Sequence, residues 1–258
     1  MGGQTFHGTA IMWINDANEI VVAADSKVIP STSYLNADGA AVQVERPATF
    51  DACKLRAVGR AVVGVAGTVG VGGQRSVLDL EMPEIRSART ARELQLGIDR
   101  WLGRAMSLYR RAIADDPGSF DELSRRNRSG IFLQATFVMF NATGGLVHFT
   151  SEASYAPSVG IRTRTNAVTG EGFGGIGEMK PIQLAESGEV RPEISQELLS
   201  GKTTRERAAA LQKTIRYIAN DPSGREVVGG PIDVVAVTKD GIRPLMVKGE
   251  CAGYFLGR

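Results

Sequence analysis

Four residues early in the chain have the makings of a nucleophilic site: the hydroxyl of Thr9, the carboxylate of Asp25, the ammonium of Lys54 and the backbone of Gly67. A hydroxyl attacks a carbonyl only when a nearby base takes its proton, and charged neighbours tune that transfer. Residues 9–15 and 19–24 are apolar, rich in β-branched side chains and separated by Asp16-Ala17-Asn18, the pattern of a hairpin with a three-residue loop. A turn about Ala17 puts Thr9 directly opposite Asp25 on one face of the hairpin. A second hairpin, residues 54–58 and 61–67 turning between Gly59 and Arg60, puts Lys54 opposite Val65 and ends at Gly67. The pairing inside each hairpin follows from its turn; the docking of one hairpin on the other does not. Taken singly, each residue has a plainer account: a strand threonine, an aspartate at a strand end, a solvated lysine, a turn glycine.

The elements that would position these groups are legible in part. Both strands of the first hairpin are nearly continuous in apolar character, as expected of strands covered on two faces. Residues 26–51 lack periodicity and carry Pro, Gly, Ser and Asn, which predicts a long loop or extended excursion. From Thr90 onward, Leu94, Ile98, Trp101, Leu102, Ala105, Leu108, Tyr109 and Ala112 recur at helical spacing behind a Thr90-to-Glu93 capping box. Residues 131–140 and 146–150 return to strand character, and the glycine-rich EGFGGIG predicts a turn into a helix. Thr203 and Glu206 cap a helix that buries Ala208, Leu211, Ile215 and Ile218; strands at 232–238 and 242–247 close the chain. Strands and helices in this order predict an α+β protein with largely antiparallel sheets.

Composition narrows the function classes. With 43% hydrophobic residues, 22% charged and a net charge of +2 without clusters of either sign, the chain should fold in water and offers no groove for nucleic acid. The opening MGGQTFHGTAIMWIN has no basic region followed by an apolar core, and no later run is apolar over the roughly 18 residues of a membrane span. No membrane association and a cytoplasmic location are the resulting expectations. Cys53 and Cys251 are too few for a disulfide framework and belong to no CxxC pair, which predicts buried reduced thiols. His7 and His148 are the only histidines, so there is no HExxH and no metal or other cofactor is expected.

The segments HGTAIMWIN, EIVVAADSK, CKL and VVGVAGTVG together resemble the opening of a proteasome β subunit or its bacterial relatives, and VGGPIDVVAVTKDG resembles the final strand pair of such subunits. The resemblance covers residues 8–70 well. It implies an N-terminal-nucleophile (Ntn) hydrolase: a four-layer αββα sandwich with residues 1–8 as leader or propeptide and 9–258 as one domain. It further implies self-cleavage at Gly8–Thr9, after which Thr9 attacks peptide bonds through an acyl ester. A free α-amine, with an ordinary pKa of about 8, can serve as base where an amide nitrogen cannot. Lys54 would supply positive potential, Asp25 would orient it, and the Gly67 N–H would donate to the oxyanion. Arg56 shares the face of Lys54 by strand parity; with Val28 and Val65 it is a candidate for the substrate pocket, where it would favour an acidic group, and a surface arginine is its plainer account. Peptide or protein substrates and a homo-oligomer, with a ring among its forms, complete the expectation; an unfoldase partner is left open.

Where the family carries a serine in a G-S-G turn and an aspartate and serine before its final Gly-Gly, this chain reads TGEGFGG and REVVGG. A catalytically silent proteasome-like subunit, or an assembly or binding protein on the same fold, is therefore the alternative. Gly201-Lys202-Thr203 is better read as a helix cap than as the end of a Walker loop, GTVGVGG lacks dinucleotide spacing, and no GxSxG elbow is present.

Overall fold

The structure, a computed structural model, describes residues 4–7, 9–35, 41–45, 47–50, 52–67, 77–115, 130–180 and 193–255. Strands β2 (Ala10–Asn15) and β3 (Glu19–Ala24) are buried along their whole length. Their ladder runs from Ile11 opposite Ala24 to Asn15 opposite Ile20. The Asp16 N–H donates to the Glu19 carbonyl at 2.9 Å, so the loop is the two residues Ala17-Asn18 and not the expected three. Asp16 sets this turn with its own carboxylate, which accepts from the Asn18 and Glu19 N–H groups at 2.8 and 2.9 Å. The shorter loop moves the register by one, so Ala10 and not Thr9 stands opposite Asp25 at the end of the ladder.

The second hairpin pairs as read from its turn. In β6 (Leu55–Val58) and β7 (Ala61–Gly67), Leu55 lies opposite Gly64 and Val58 opposite Ala61, and the Val65 N–H donates to the Lys54 carbonyl at 3.2 Å.

Among the described residues, the remaining strands build three antiparallel sheets. They are β1 (Gln4–His7), β4 (Ile29–Leu35), β5 (Ala41–Glu45), β8 (Ile131–Phe140), β9 (Leu146–Ala156), β10 (Gly160–Ala167), β11 (Gly172–Gly177), β12 (Asp233–Thr238) and β13 (Gly241–Met246). One five-stranded sheet has the order β11-β2-β3-β12-β13, the other β10-β9-β8-β7-β6, and a small sheet has the order β1-β4-β5. The small sheet puts paired strands into residues 26–51, expected as a long loop or extended excursion, and joins residues 4–7 to them, His7 pairing with Ile29. IPSTSYL has no alternation of polarity, and in AVQVE the alternation Val42-Gln43-Val44-Glu45 is too short to stand out as a strand signal. EGFGGIG forms an edge strand in its Gly172–Gly177 part, where a Cβ on Gly174 would lie 2.7 Å from the Trp13 ring; the helix expected after it falls on residues 181–192, outside the described residues.

Helix α1 (Pro83–Ser87) and the long α2 (Ala91–Asp115) cover one five-stranded sheet. The Thr90–Glu93 box forms as read, with Glu93 N–H on Thr90 Oγ1 at 3.2 Å and Thr90 N–H on Glu93 Oε2 at 3.0 Å. Leu94, Ile98, Trp101 and Tyr109 pack on Val63, Val65 and Phe137. Helices α3 (Glu193–Ser200) and α4 (Thr204–Asn220) cover the other sheet; Thr203 caps α4 in a capping box, and Leu211, Ile215 and Ile218 meet Met12, Ile14 and Val21. A third core, with Ile11, Trp13, Val22, Val62, Val138 and Phe140, lies between the two sheets. The protein is α+β, and no helix among the described residues is long and apolar enough to cross a membrane.

The cysteines overturn the expected free thiols. Cys53 and Cys251 form a disulfide with Cα atoms 5.5 Å apart, joining the approach to β6 to the single turn α5 (Gly249–Ala252). A sequence separation of 198 residues hid this contact from any local pattern.

Candidate active site

Asp25 sits where the chain leaves β3, with no solvent exposure. A buried carboxylate needs hydrogen bonds on both oxygens. Oδ1 accepts from the Ala10 N–H at 2.8 Å and the Lys54 ammonium at 2.9 Å. Oδ2 accepts from the Gly229 N–H at 3.0 Å and the Lys27 N–H at 3.1 Å. The Gly229 carbonyl in turn accepts from the Ser26 and Lys27 N–H groups at 3.2 and 3.0 Å, and the Ser26 hydroxyl donates to the Pro231 carbonyl. The Gly229 backbone of the REVVGG segment thus reaches the carboxylate directly.

Lys54 enters from the other five-stranded sheet, one residue before β6, and is 3% exposed. Burial holds its ammonium below the usual lysine range; Asp25 opposes that shift, and the cations Lys248 and Lys27 add to it. The result is a lysine anchored by the Asp25 carboxylate yet readier than a solvated one to part with a proton.

Thr9, 3% exposed, immediately precedes β2, and its carbonyl accepts from the Glu178 N–H at 2.8 Å. Gly177, at the end of β11, has φ +93, and a Cβ there would lie 2.0 Å from the Thr9 carbonyl oxygen and 3.4 Å from the Ala66 methyl. The ends of β2, β11 and β7 therefore meet beside Thr9. Gln134 of β8 steadies this corner by accepting from the Gly177 N–H at 2.9 Å. Gly67 closes β7 with φ +92, where a Cβ would lie 2.5 Å from the Phe132 carbonyl oxygen, so no other residue fits without displacing β8. Glu178 is half-buried, and burial pushes its carboxyl up.

Asp25 and Lys54 are thus in direct contact, and Thr9 is joined to them through the next amide, since the Ala10 N–H and the Lys54 ammonium share Asp25 Oδ1. The three pocket candidates have the following surroundings. Val65 is fully buried in the core under α2. Arg56 donates to the Leu78 carbonyl and to Asp79 Oδ1 and lies 4.2 Å from the Tyr254 ring centre. Val28 is buried and bridges to Thr49. Gly8 lies outside the described residues. Sequence reasoning did not single out Gly229, Glu178, or the buried Asp233 and Lys248 near the disulfide; of these, only the Gly-Gly pair left a visible mark in the sequence. No protein-family model matches the chain, and no curated protein matches it.

Proposed function

We propose that the chain is a threonine-type Ntn hydrolase of the proteasome β-subunit kind, a four-layer αββα sandwich that cleaves peptide bonds after removing its own leader at Gly8–Thr9. The observation that carries this reading is the shared oxygen of Asp25: one buried carboxylate binds both Lys54 and the amide immediately after Thr9. A buried lysine ammonium with lowered proton affinity, held beside a strand-initial threonine, suits a site where a hydroxyl proton must move. The three apolar cores, one between the sheets and one beneath each helical layer, support the fold part of the proposal.

Processing comes first, because the Thr9 nitrogen is an amide while Gly8 is attached. Thr9 Oγ attacks the Gly8 carbonyl, the Gly8–Thr9 amide opens to an ester, and water hydrolyses that ester to release residues 1–8 and a free α-amine. In turnover the amine takes the hydroxyl proton, Oγ adds to the substrate carbonyl, and the oxyanion accepts from the Gly67 N–H. One such donor contributes about 3 kcal/mol. The tetrahedral intermediate expels the peptide amine, which leaves with the proton, and water then cleaves the acyl ester. Lys54 supplies the positive field and Asp25 fixes its place. Peptide substrates and assembly into a homo-oligomer belong to the same reading.

Intact mass of the purified wild-type chain beside Thr9→Ala tests it. The wild type should lose residues 1–8 and the variant should retain them; a wild type that keeps its leader sinks the active-hydrolase reading for the isolated chain. A silent subunit or assembly protein is the second reading, supported by the pairing of β1 with β4, which ties the residues before Thr9 into a sheet. The cytoplasmic location expected from the sequence sits poorly with the Cys53–Cys251 bond, since cytosolic thiols are kept reduced in most organisms.

A further inference from the structure

Behind the Asp25–Lys54 pair lies a second lysine–aspartate pair that takes no part in the steps above. Asp233 opens β12 directly opposite Ala24, the residue before Asp25, and is 1% exposed. Its Oδ1 accepts from the Lys248 N–H at 2.8 Å, and its Oδ2 lies 3.6 Å from the Lys248 ammonium. That ammonium donates to the Ala52 carbonyl at 2.6 Å, two residues before Lys54, while Cys53 between them is bonded to Cys251. Three consecutive residues are each held by a different device: Ala52 by a charge-assisted hydrogen bond, Cys53 by a covalent bond, Lys54 by an ion pair. A lone backbone carbonyl on a surface segment needs no buried lysine, and burying a second cation near the first is costly unless an anion accompanies it.

We infer that Lys248 is a positioning residue for Lys54: held by Asp233, its ammonium fixes the approach to β6 and places a second positive charge behind the Asp25–Lys54 pair. Its catalytic meaning rests on the Ntn-hydrolase reading; its electrostatic meaning does not. Among the described residues the charged groups bearing on Lys54 are Asp25, Lys27 and Lys248, with Asp233 beside Lys248 and Glu250 of α5 acting on Asp233. Lys248 is one of the groups that lower the proton affinity of Lys54. Asp233, its own carboxyl pushed up by burial, tempers that effect by its charge.

The test is a pH titration of the Lys54 side-chain carbon resonance by NMR in the full chain carrying Thr9→Ala, which keeps the leader on in every sample; Lys54 is identified by the signal missing from Lys54→Arg. Asp233→Asn leaves the Lys248 cation without its anion and should shift the Lys54 titration to lower pH. Lys248→Met combined with Asp233→Asn removes both charges, leaves no buried ion unmatched and should shift it to higher pH. Opposite shifts uphold the inference; no shift in either variant, or shifts of the same sign, overturns it. Leader removal in chains with Thr9 restored reads the hydrolase proposal separately. Opposite shifts in a chain that never processes keep Lys248 and sink the hydrolase, whereas an unmoved titration in a chain that does process does the reverse.

Discussion

A carboxylate with no exposure must find its donors inside the protein, and Asp25 finds three on the backbone and one on Lys54. His148 shows the opposite solution. It is 3% exposed, its Nε2 lies 2.8 Å from Thr136 Oγ1, its ring meets Trp13 edge to face, and among the described residues its Nδ1 has no partner. Burial pushes the imidazole down to about 3, so it stays neutral between the sheets. An unfolded histidine takes up its proton near pH 6.5. Between those values the unfolded chain binds one more proton than the folded one, so stability falls as pH drops through the window, by about 1.4 kcal/mol per unit. Urea unfolding at pH 6.5 and 5 should show His148→Asn losing about 2 kcal/mol less than the wild type over that interval. Equal losses in the two proteins would show that the buried imidazole is not what the pH acts on.

At the scale of elements, the corner beside Thr9 depends on how β11 ends. Gly177 combines a positive φ with a Cβ position 2.0 Å from the Thr9 carbonyl oxygen, whereas Gly160, also at positive φ, has no atom within 4 Å of its Cβ position. Gly177→Ala should therefore cost more than about 2 kcal/mol and retard leader removal, while Gly160→Ala should cost only about 1 kcal/mol. Denaturation midpoints of the two variants decide it, and equal costs would contradict the close approach. The same corner shows what a sequence can and cannot convey. The Gly59-Arg60 turn fixes its hairpin because two residues leave one natural pairing, and Lys54 falls opposite Val65 as read. Asp16-Ala17-Asn18 admits loops of two or three residues, and the choice turns on the hydrogen bond from Asp16 N–H to Glu19, which composition does not reveal. Asp25 still reaches the strand of Thr9 because its side chain bonds the Ala10 amide across the ladder. The long helices were legible from spacing and caps, while β4, β5 and β10 are polar or mixed and carry no such period.

For the whole molecule, the strongest single constraint is the bond between Cys53 and Cys251. Replacing both cysteines by alanine should lower unfolding stability by about 2–5 kcal/mol, read from urea unfolding of oxidised wild type beside the double variant. Unchanged stability would mean that the native contacts of α5 hold without the bond. Topologically, the disulfide turns the chain into a lasso. Residues 53–251 form a closed covalent ring, and the tail before Cys53 contributes β2 and β3, which pair with β11 and β12 of the ring. Thr9 and Asp25 ride on the tail and Lys54 on the ring, so the ion pair at the candidate active site is a latch between the two. A single backbone cut inside the ring leaves one covalent molecule, whereas a cut at Gly8–Thr9 lies outside the ring and severs β1 from β2.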